Sequence, residues 1–155
     1  MNEQAQTELK KFLNGRFSNS ESTRANYARG EDTYDPVLSK AVVFPETNEE
    51  VSKILSICNE HKIPVVPFGT GTSLEGNVVG NDKGITISLE KMNKILSVNV
   101  EDFDCRVQAC VTREQLNDYL REDGVFFPID PGANAAIGGM ASTSASGTMA
   151  VRYGT

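Results

Sequence analysis

Between Pro67 and Ser73 the chain passes through Gly69, Thr70, Gly71, Thr72 and Ser73, directly after the apolar pair Val65 and Val66. Glycines let a backbone turn sharply and approach a ligand closely, and the Thr and Ser residues add hydroxyls. From Ile63 to Asp82 there is no Lys or Arg. An anion held here would therefore be bound by main-chain N–H groups in a nest, without cationic side chains. Taken alone, a Gly-rich stretch after a strand is more often an ordinary turn. A second stretch opens at Asp130, the only charged residue between Gly124 and Val151, where Gly, Ala, Ser and Thr dominate. A flexible low-complexity linker shares that composition. Against that, Ile137, Met140 and Met149 interrupt it, and Gly138-Gly139 predict the start of a short helix. Two uncharged, hydroxyl-bearing loops point to a long, mostly uncharged ligand that carries a diphosphate.

Other chemistries find no footing. A P-loop needs Lys followed by Ser or Thr after its last Gly, and GTGTSLEG has neither. The dinucleotide fingerprint needs a third Gly where Leu74 stands. The single His61 has no second His or Cys at ligand spacing and no nucleophile beside it, so neither a metal nor hydrolase chemistry is expected. Cys58, Cys105 and Cys110 form no CxxC pair and read as small buried apolar residues. Asp130 reads as loop-shaping, and no catalytic side chain is named.

These loops need elements to position them. Leu9, Phe12 and Leu13 predict a helix over 3–14 that stops at Gly15, and residues 16–40 read as an irregular arm without a core. Ala41 to Phe44 reads as a strand. Thr47 and Glu50 form a capping box for a helix whose stripe is Val51, Ile54, Leu55 and Cys58. Ile63 to Pro67 and Gly84 to Leu89 are further strands, the latter with alternating polarity. Lys94 to Val100 and Phe103 to Val111 predict an antiparallel hairpin. Thr112 and Gln115 form a second capping box, Val111 staples to Leu116, Gly124 ends that helix, and Val125 to Phe127 reads as a short strand. With 155 residues and a net charge of −6, one domain with a sizeable core is expected, and nucleic acid and anionic membranes are disfavoured. No apolar run approaches the roughly 20 residues that span a bilayer. Residues 1–15 are polar, which predicts a cytoplasmic location.

The blocks VVFPETNEEVSKIL, IPVVPFGTGTSLEG, ACVTREQLNDYL and FFPIDPGANAAIGGMASTSASGTMAVRYGT occur in an order that resembles the PCMH-type FAD-binding domain of vanillyl-alcohol oxidase flavoproteins. Residues 32–155 carry the resemblance, and within that superfamily they are most similar to the D-lactate dehydrogenase (cytochrome) branch, with glycolate oxidase flavin subunits and D-2-hydroxyglutarate dehydrogenases nearby. The resemblance implies an α+β fold: an N-terminal helix and arm (1–35), a first α/β FAD-binding lobe (36–93) and an incomplete second α+β lobe (94–155). It implies that Pro67, Gly69, Thr70, Gly71, Thr72 and Ser73 wrap the FAD diphosphate. Pro131, Gly132, Gly138, Gly139, Ser142, Thr143, Ser146 and Gly147 would lie along the isoalloxazine and ribityl chain, with Arg152, Tyr153 and Gly154 approaching from the same side. Covalent members carry a His where Thr72 stands, so non-covalent FAD is implied. Such flavoproteins continue with a cap domain and a C-terminal region that brings the substrate base, which implies that this chain alone is inactive.

Two readings of function follow. The first is the flavin-binding portion of an FAD-dependent D-2-hydroxyacid dehydrogenase, which takes a hydride from the substrate α-carbon and passes electrons to an unassigned acceptor. The second is a non-catalytic nucleotide-binding module that needs a partner; a third possibility is that the Gly loops serve packing only.

Overall fold

A computed structural model describes residues 1–154, and its described part divides into two units, Met1–Lys91 and Met92–Thr155, with Thr155 itself outside the described residues. In the first unit, a four-stranded sheet has the order β1-β2-β4-β3, built from β1 (Phe17–Ser18), β2 (Ala41–Val43), β3 (Val65–Phe68) and β4 (Ile85–Ser88). β2 and β3 both run parallel to β4, with Ala41 and Val65 each level with Ile85. β1 pairs antiparallel on the far side of β2. Pro67 lies within β3 at the sheet edge, where a residue without an N–H interrupts no interior ladder.

The alternation expected of β4 is present in residue type but not in exposure. All four residues are buried, because β4 is central and both faces are covered. Ile85 and Ile87 join the core, while the Thr86 hydroxyl meets the Ser39 hydroxyl at 2.8 Å. The core packs Ala5, Leu9 and Leu13 of α1 (Glu3–Leu13) and Ile54, Ile57 and Cys58 of α3 (Asn48–Glu60) against Ala41, Val43, Ile63, Ile85 and Ile87. Thr47 caps α3 as expected, accepting from the Glu50 N–H at 3.2 Å. The buried stripe is rotated from the predicted one. Ile57 is inside and Leu55 is 45% exposed, since only one face of α3 meets the sheet.

The arm is more ordered than its composition promised. Within residues 16–40 lie β1 and α2 (Glu21–Asn26), and Ala28, Asp32 and Ser39 are buried. Arg16 fixes the start of the arm: its guanidinium makes two bonds of 2.5 Å to the Glu50 carboxylate and one of 3.1 Å to the Phe44 carbonyl. Glu50 also accepts the Glu46 N–H at 2.7 Å.

The second unit contains the antiparallel hairpin of β5 (Ile95–Asn99) and β6 (Asp104–Val107), with Asn99 opposite Asp104 and a bulge between Ile95 and Ser97. Val111, Leu116 and Leu120 form its small core, and Leu116 and Leu120 lie on α4 (Arg113–Leu120). Val111 and Leu116 meet there as the staple predicted. Tyr119, assigned to the same stripe, is exposed. A 3-10 turn (Arg121–Asp123) follows α4, ending at Gly124 with φ 72°. Val125 to Phe127 is not a strand. Among the described residues it has no strand neighbour; the Asn117 amide serves instead, accepting the Phe127 N–H at 2.7 Å and donating to the Phe127 carbonyl at 3.1 Å. Two short helices complete the unit, α5 (Ile137–Ser142) and α6 (Ala150–Tyr153).

Two outcomes are expected. Ile54→Ala should cost about 2 to 5 kcal/mol of stability and Leu55→Ala less than about 1, measured by urea unfolding. The Arg16 guanidinium, through its hydrogen bonds, lowers the Glu50 pKa from 4.5 to about 2. A depressed carboxylate pKa stabilises above the unfolded value, and that contribution is lost as pH falls through the folded one. Glu50→Gln should therefore cost on the order of 1 to 2 kcal/mol at pH 7, reduced by partial solvent contact. The difference from wild type should shrink between about pH 4.5 and pH 2.

Candidate functional site

The first loop leaves β3 at Phe68, whose carbonyl accepts the Leu89 N–H at 2.9 Å. The chain then folds back over the buried Phe68 ring. Gly71 has φ +76°, and a Cβ there would stand 2.8 Å from the Phe68 ring. Glycine is required at this position for both reasons. Beneath it, the Tyr27 ring meets Phe68 edge-on at 5.0 Å and Phe44 at 5.7 Å. The Gly71 carbonyl accepts the Glu31 N–H at 2.9 Å. The hydroxyls of Thr70 and Thr72 lie 3.3 Å apart.

Gly69, Gly71, Thr72 and Ser73 are half-buried and Thr70 is exposed, as is Pro67 just before them. Among the described residues, no N–H from Thr70 to Ser73 donates to an intramolecular acceptor. Backbone donors are seldom left without partners, so a row of them in a shaped loop fits an anionic ligand's oxygens. The donor set therefore suits a phosphate-bearing group.

The second loop is held by different means. Asp130 accepts the Thr148 hydroxyl at 2.7 Å and the Met149 N–H at 3.1 Å. These bonds, the Thr148 one first, keep its carboxyl below the ordinary carboxylate range. Gly147 sits so close to Asp130 that a Cβ would fall on the Asp130 carbonyl. On the other side, Ile137 donates to the Val111 carbonyl and Gly138 to the Ala109 carbonyl, both at 2.8 Å. A Cβ at Gly138 would meet the Ala109 methyl at 2.8 Å. Gly138 and Gly147 are therefore glycines of close packing.

Gly132 and Gly139 differ, since a Cβ at either would meet nothing within 4 Å. Ser142 and Thr143 turn their hydroxyls onto the carbonyls of Gly138 (2.8 Å) and Gly139 (3.0 Å), which leaves their oxygens as acceptors. Pro131 and Ser146 are exposed. Tyr153 packs edge-on to Phe126 at 5.3 Å, with Arg152 over its ring at 5.2 Å.

The residues predicted for the first loop are brought together within the first unit. Those of the second loop lie together in the second unit, with Tyr153 beyond them on α6. Sequence reading missed the supports: Tyr27, Gly30, Glu31 and Asp32 under the first loop, and Ala109 and Asn134 beside the second. Asn134 accepts the Glu114 N–H at 3.1 Å and so adds a second cap to α4. Asp32 was the available signal, because an Asp side chain accepts from the backbone N–H two residues on in an Asx-turn, as it does here from Tyr34. The cysteines divide. Cys58 and Cys110 are buried as expected, and burial pushes the Cys58 thiol up to about 11, whereas Cys105 is exposed on β6. No helix among the described residues is long and apolar enough to cross a membrane.

Residues 39–155 match the family model described as "FAD binding domain". The chain is 48% identical over 134 residues to a probable mitochondrial D-lactate dehydrogenase of Danio rerio, covering 86% of this chain and 27% of that protein. It is 40% identical over 151 residues to the mitochondrial D-lactate dehydrogenase [cytochrome] of Arabidopsis thaliana, covering 96% of this chain and again 27% of the relative. The solved structure of an alkyldihydroxyacetonephosphate synthase superposes with a TM-score of 0.89 at 21% identity, over 99% of this chain and 31% of that one, which shows a shared fold. The chain spans about a quarter of the length of these curated relatives.

The glycine environments predict a separation in stability. Gly139→Ala, in α5 with open space around it, should leave the melting temperature unchanged or slightly raised. Gly147→Ala and Gly138→Ala should lower it by several degrees, because backbone atoms have to move. Calorimetry of the three variants checks this.

Proposed function

The chain belongs to the FAD binding domain family, and on that premise we propose that it is the flavin-binding portion of an FAD-dependent 2-hydroxyacid dehydrogenase acting on D-lactate. The observation that carries the proposal is the loop of Thr70 to Ser73, with its free main-chain donors and no cationic side chain from Ile63 to Asp82. The likeness to D-lactate dehydrogenases supports the substrate class. FAD supplies the hydride acceptor for the substrate α-carbon. This chain's residues bind and orient it. Pro67 to Ser73 take the diphosphate oxygens. Pro131, Gly132, Gly138, Gly139, Ser142, Thr143, Ser146, Gly147 and Tyr153 take the ribityl chain and the ring. Gly139, open on its outer side, is the position where a ring edge can come against the backbone.

FAD is held without a covalent bond in the first loop, since Thr72 offers no nucleophilic ring nitrogen. Residues 36–93 serve as the first FAD-binding lobe and residues 94–155 as an incomplete second one, preceded by the helix and arm of residues 1–35. No residue of this chain is assigned as the base that takes the substrate hydroxyl proton. The small 2-hydroxyacid and the electron acceptor meet the whole protein, and this segment alone gives no turnover. A cytoplasmic location is proposed, whereas the relatives' names place them in mitochondria. Fractionation of the tagged whole protein decides between the two.

The test is titration of the purified chain with FAD, read by quenching of flavin fluorescence. Saturable quenching is expected. Gly139→Val should raise the FAD Kd at least tenfold with the fold intact by circular dichroism. D-lactate should fail to reduce a dye through the segment and should reduce it through the whole protein. A folded chain that never quenches FAD favours the packing-only role of the loops, and dye reduction by the segment overturns the assignment of the base elsewhere.

A further inference from the structure

We infer that Tyr27 to Tyr34, a segment before the family-matched residues, is a positioning brace that sets the direction of the first loop's amide groups. The inference rests on the proposed role of that loop in holding a diphosphate. The brace is organised by Asp32, which is buried and spends both carboxylate oxygens on its own turn: Oδ2 accepts the Gly30 N–H and Oδ1 the Tyr34 N–H, each at 3.0 Å. That turn presents the intervening Glu31 N–H to the Gly71 carbonyl at 2.9 Å.

A trans peptide unit is planar, with its C=O and N–H pointing in opposite directions. Holding the Gly71 carbonyl toward the brace therefore aims the Thr72 N–H away from it, on the side left without an intramolecular acceptor. The approach is close. A Cβ at Gly30 would lie 2.5 Å from the Gly71 oxygen, 3.0 Å from the Ser73 oxygen and 2.8 Å from a Val78 methyl. Any larger residue at 30 has to push the loop outward.

The remaining contacts close the brace at both ends. The Tyr27 ring supports Phe68, the side chain over which Gly71 folds. The Ala28 carbonyl accepts the Gly80 N–H at 2.9 Å and the Val37 N–H at 3.2 Å, fixing the far end of the loop. The Tyr34 ring stands 2.7 Å from where a Cβ of Gly76 would be. None of these groups has to touch the ligand. They decide which way the donors face, and preorganised donors bind an anion without first reorienting.

The experiment compares FAD Kd, melting temperature and amide exchange by NMR for wild type, Gly30→Ala, Asp32→Ala and Leu9→Ala. Leu9, buried in the core on α1, serves as the control for general destabilisation. Gly30→Ala and Asp32→Ala should each raise the Kd at least tenfold. Leu9→Ala should lower the melting temperature at least as much and leave the Kd within twofold. In the free wild-type chain the Glu31 amide should exchange slowly, and FAD should shift the Thr72 amide resonance. The brace is overturned by FAD binding that survives both brace variants, by Leu9→Ala weakening binding as much as they do, or by a Glu31 amide that exchanges as fast as an open one. Wild type that fails to bind FAD counts against the cofactor reading itself, and is seen before any variant is made.

Discussion

Burying the strand Ile85–Ser88 on both faces is the constraint from which the first unit follows. A central strand can leave no main-chain group unpaired, so it takes a neighbour on each side, and β2 and β3 both run parallel to it. α3 carries the chain from β2 to β3 on the far side of β4 and covers one face with Ile54, Ile57 and Cys58. Thr86 of β4 is tolerated on the other face because Ser39 answers it with a hydroxyl. Once β3 is fixed against β4 as far as Phe68, the loop that follows has a fixed starting point and a ring to fold over.

The two loops reach their shapes by different physics. The first is held from outside: the arm pulls back on the Gly71 carbonyl and the Phe68 ring lies under it. The second is held from within by Asp130, whose carboxylate bridges to Thr148 and Met149, and from the side by main-chain bonds to Ala109 and Val111. Both devices use main chain and hydroxyls, and neither brings in a cationic side chain. Main-chain dipoles are weaker singly than a guanidinium, so such a lining suits an anion only where several N–H groups converge. The one strong ion pair of the first unit, Arg16 with Glu50, ties the start of the arm to α3. It acts through the arm's anchorage and not through contact with the loop residues.

Glycine carries three separate meanings here. At Gly71 it permits a left-handed backbone; at Gly30, Gly138 and Gly147 it permits close approach of another strand of chain; at Gly139 it leaves open space. The sequence shows the same letter in each case. Only the third kind leaves room for something outside the chain, which is why Gly139 tests the cofactor role more cleanly than Gly71.

What the sequence determined by itself was local. Capping boxes placed α3 and α4, the apolar runs placed three of the four strands of the first unit and the hairpin, and the lack of cations between Ile63 and Asp82 left main-chain donors to meet any anion bound there. These features are set by neighbours within a few residues, so they are legible in order along the chain. The tertiary structure decided what depends on distant pairs: that Leu55 faces solvent while Ile57 is buried, that β4 is central, that Asn117 stands in for a strand beside Phe127, and that the arm at Tyr27 to Tyr34 lies under a loop some forty positions later. No periodicity marks such a pairing. It arises from which main-chain groups are left to satisfy once the sheet has formed.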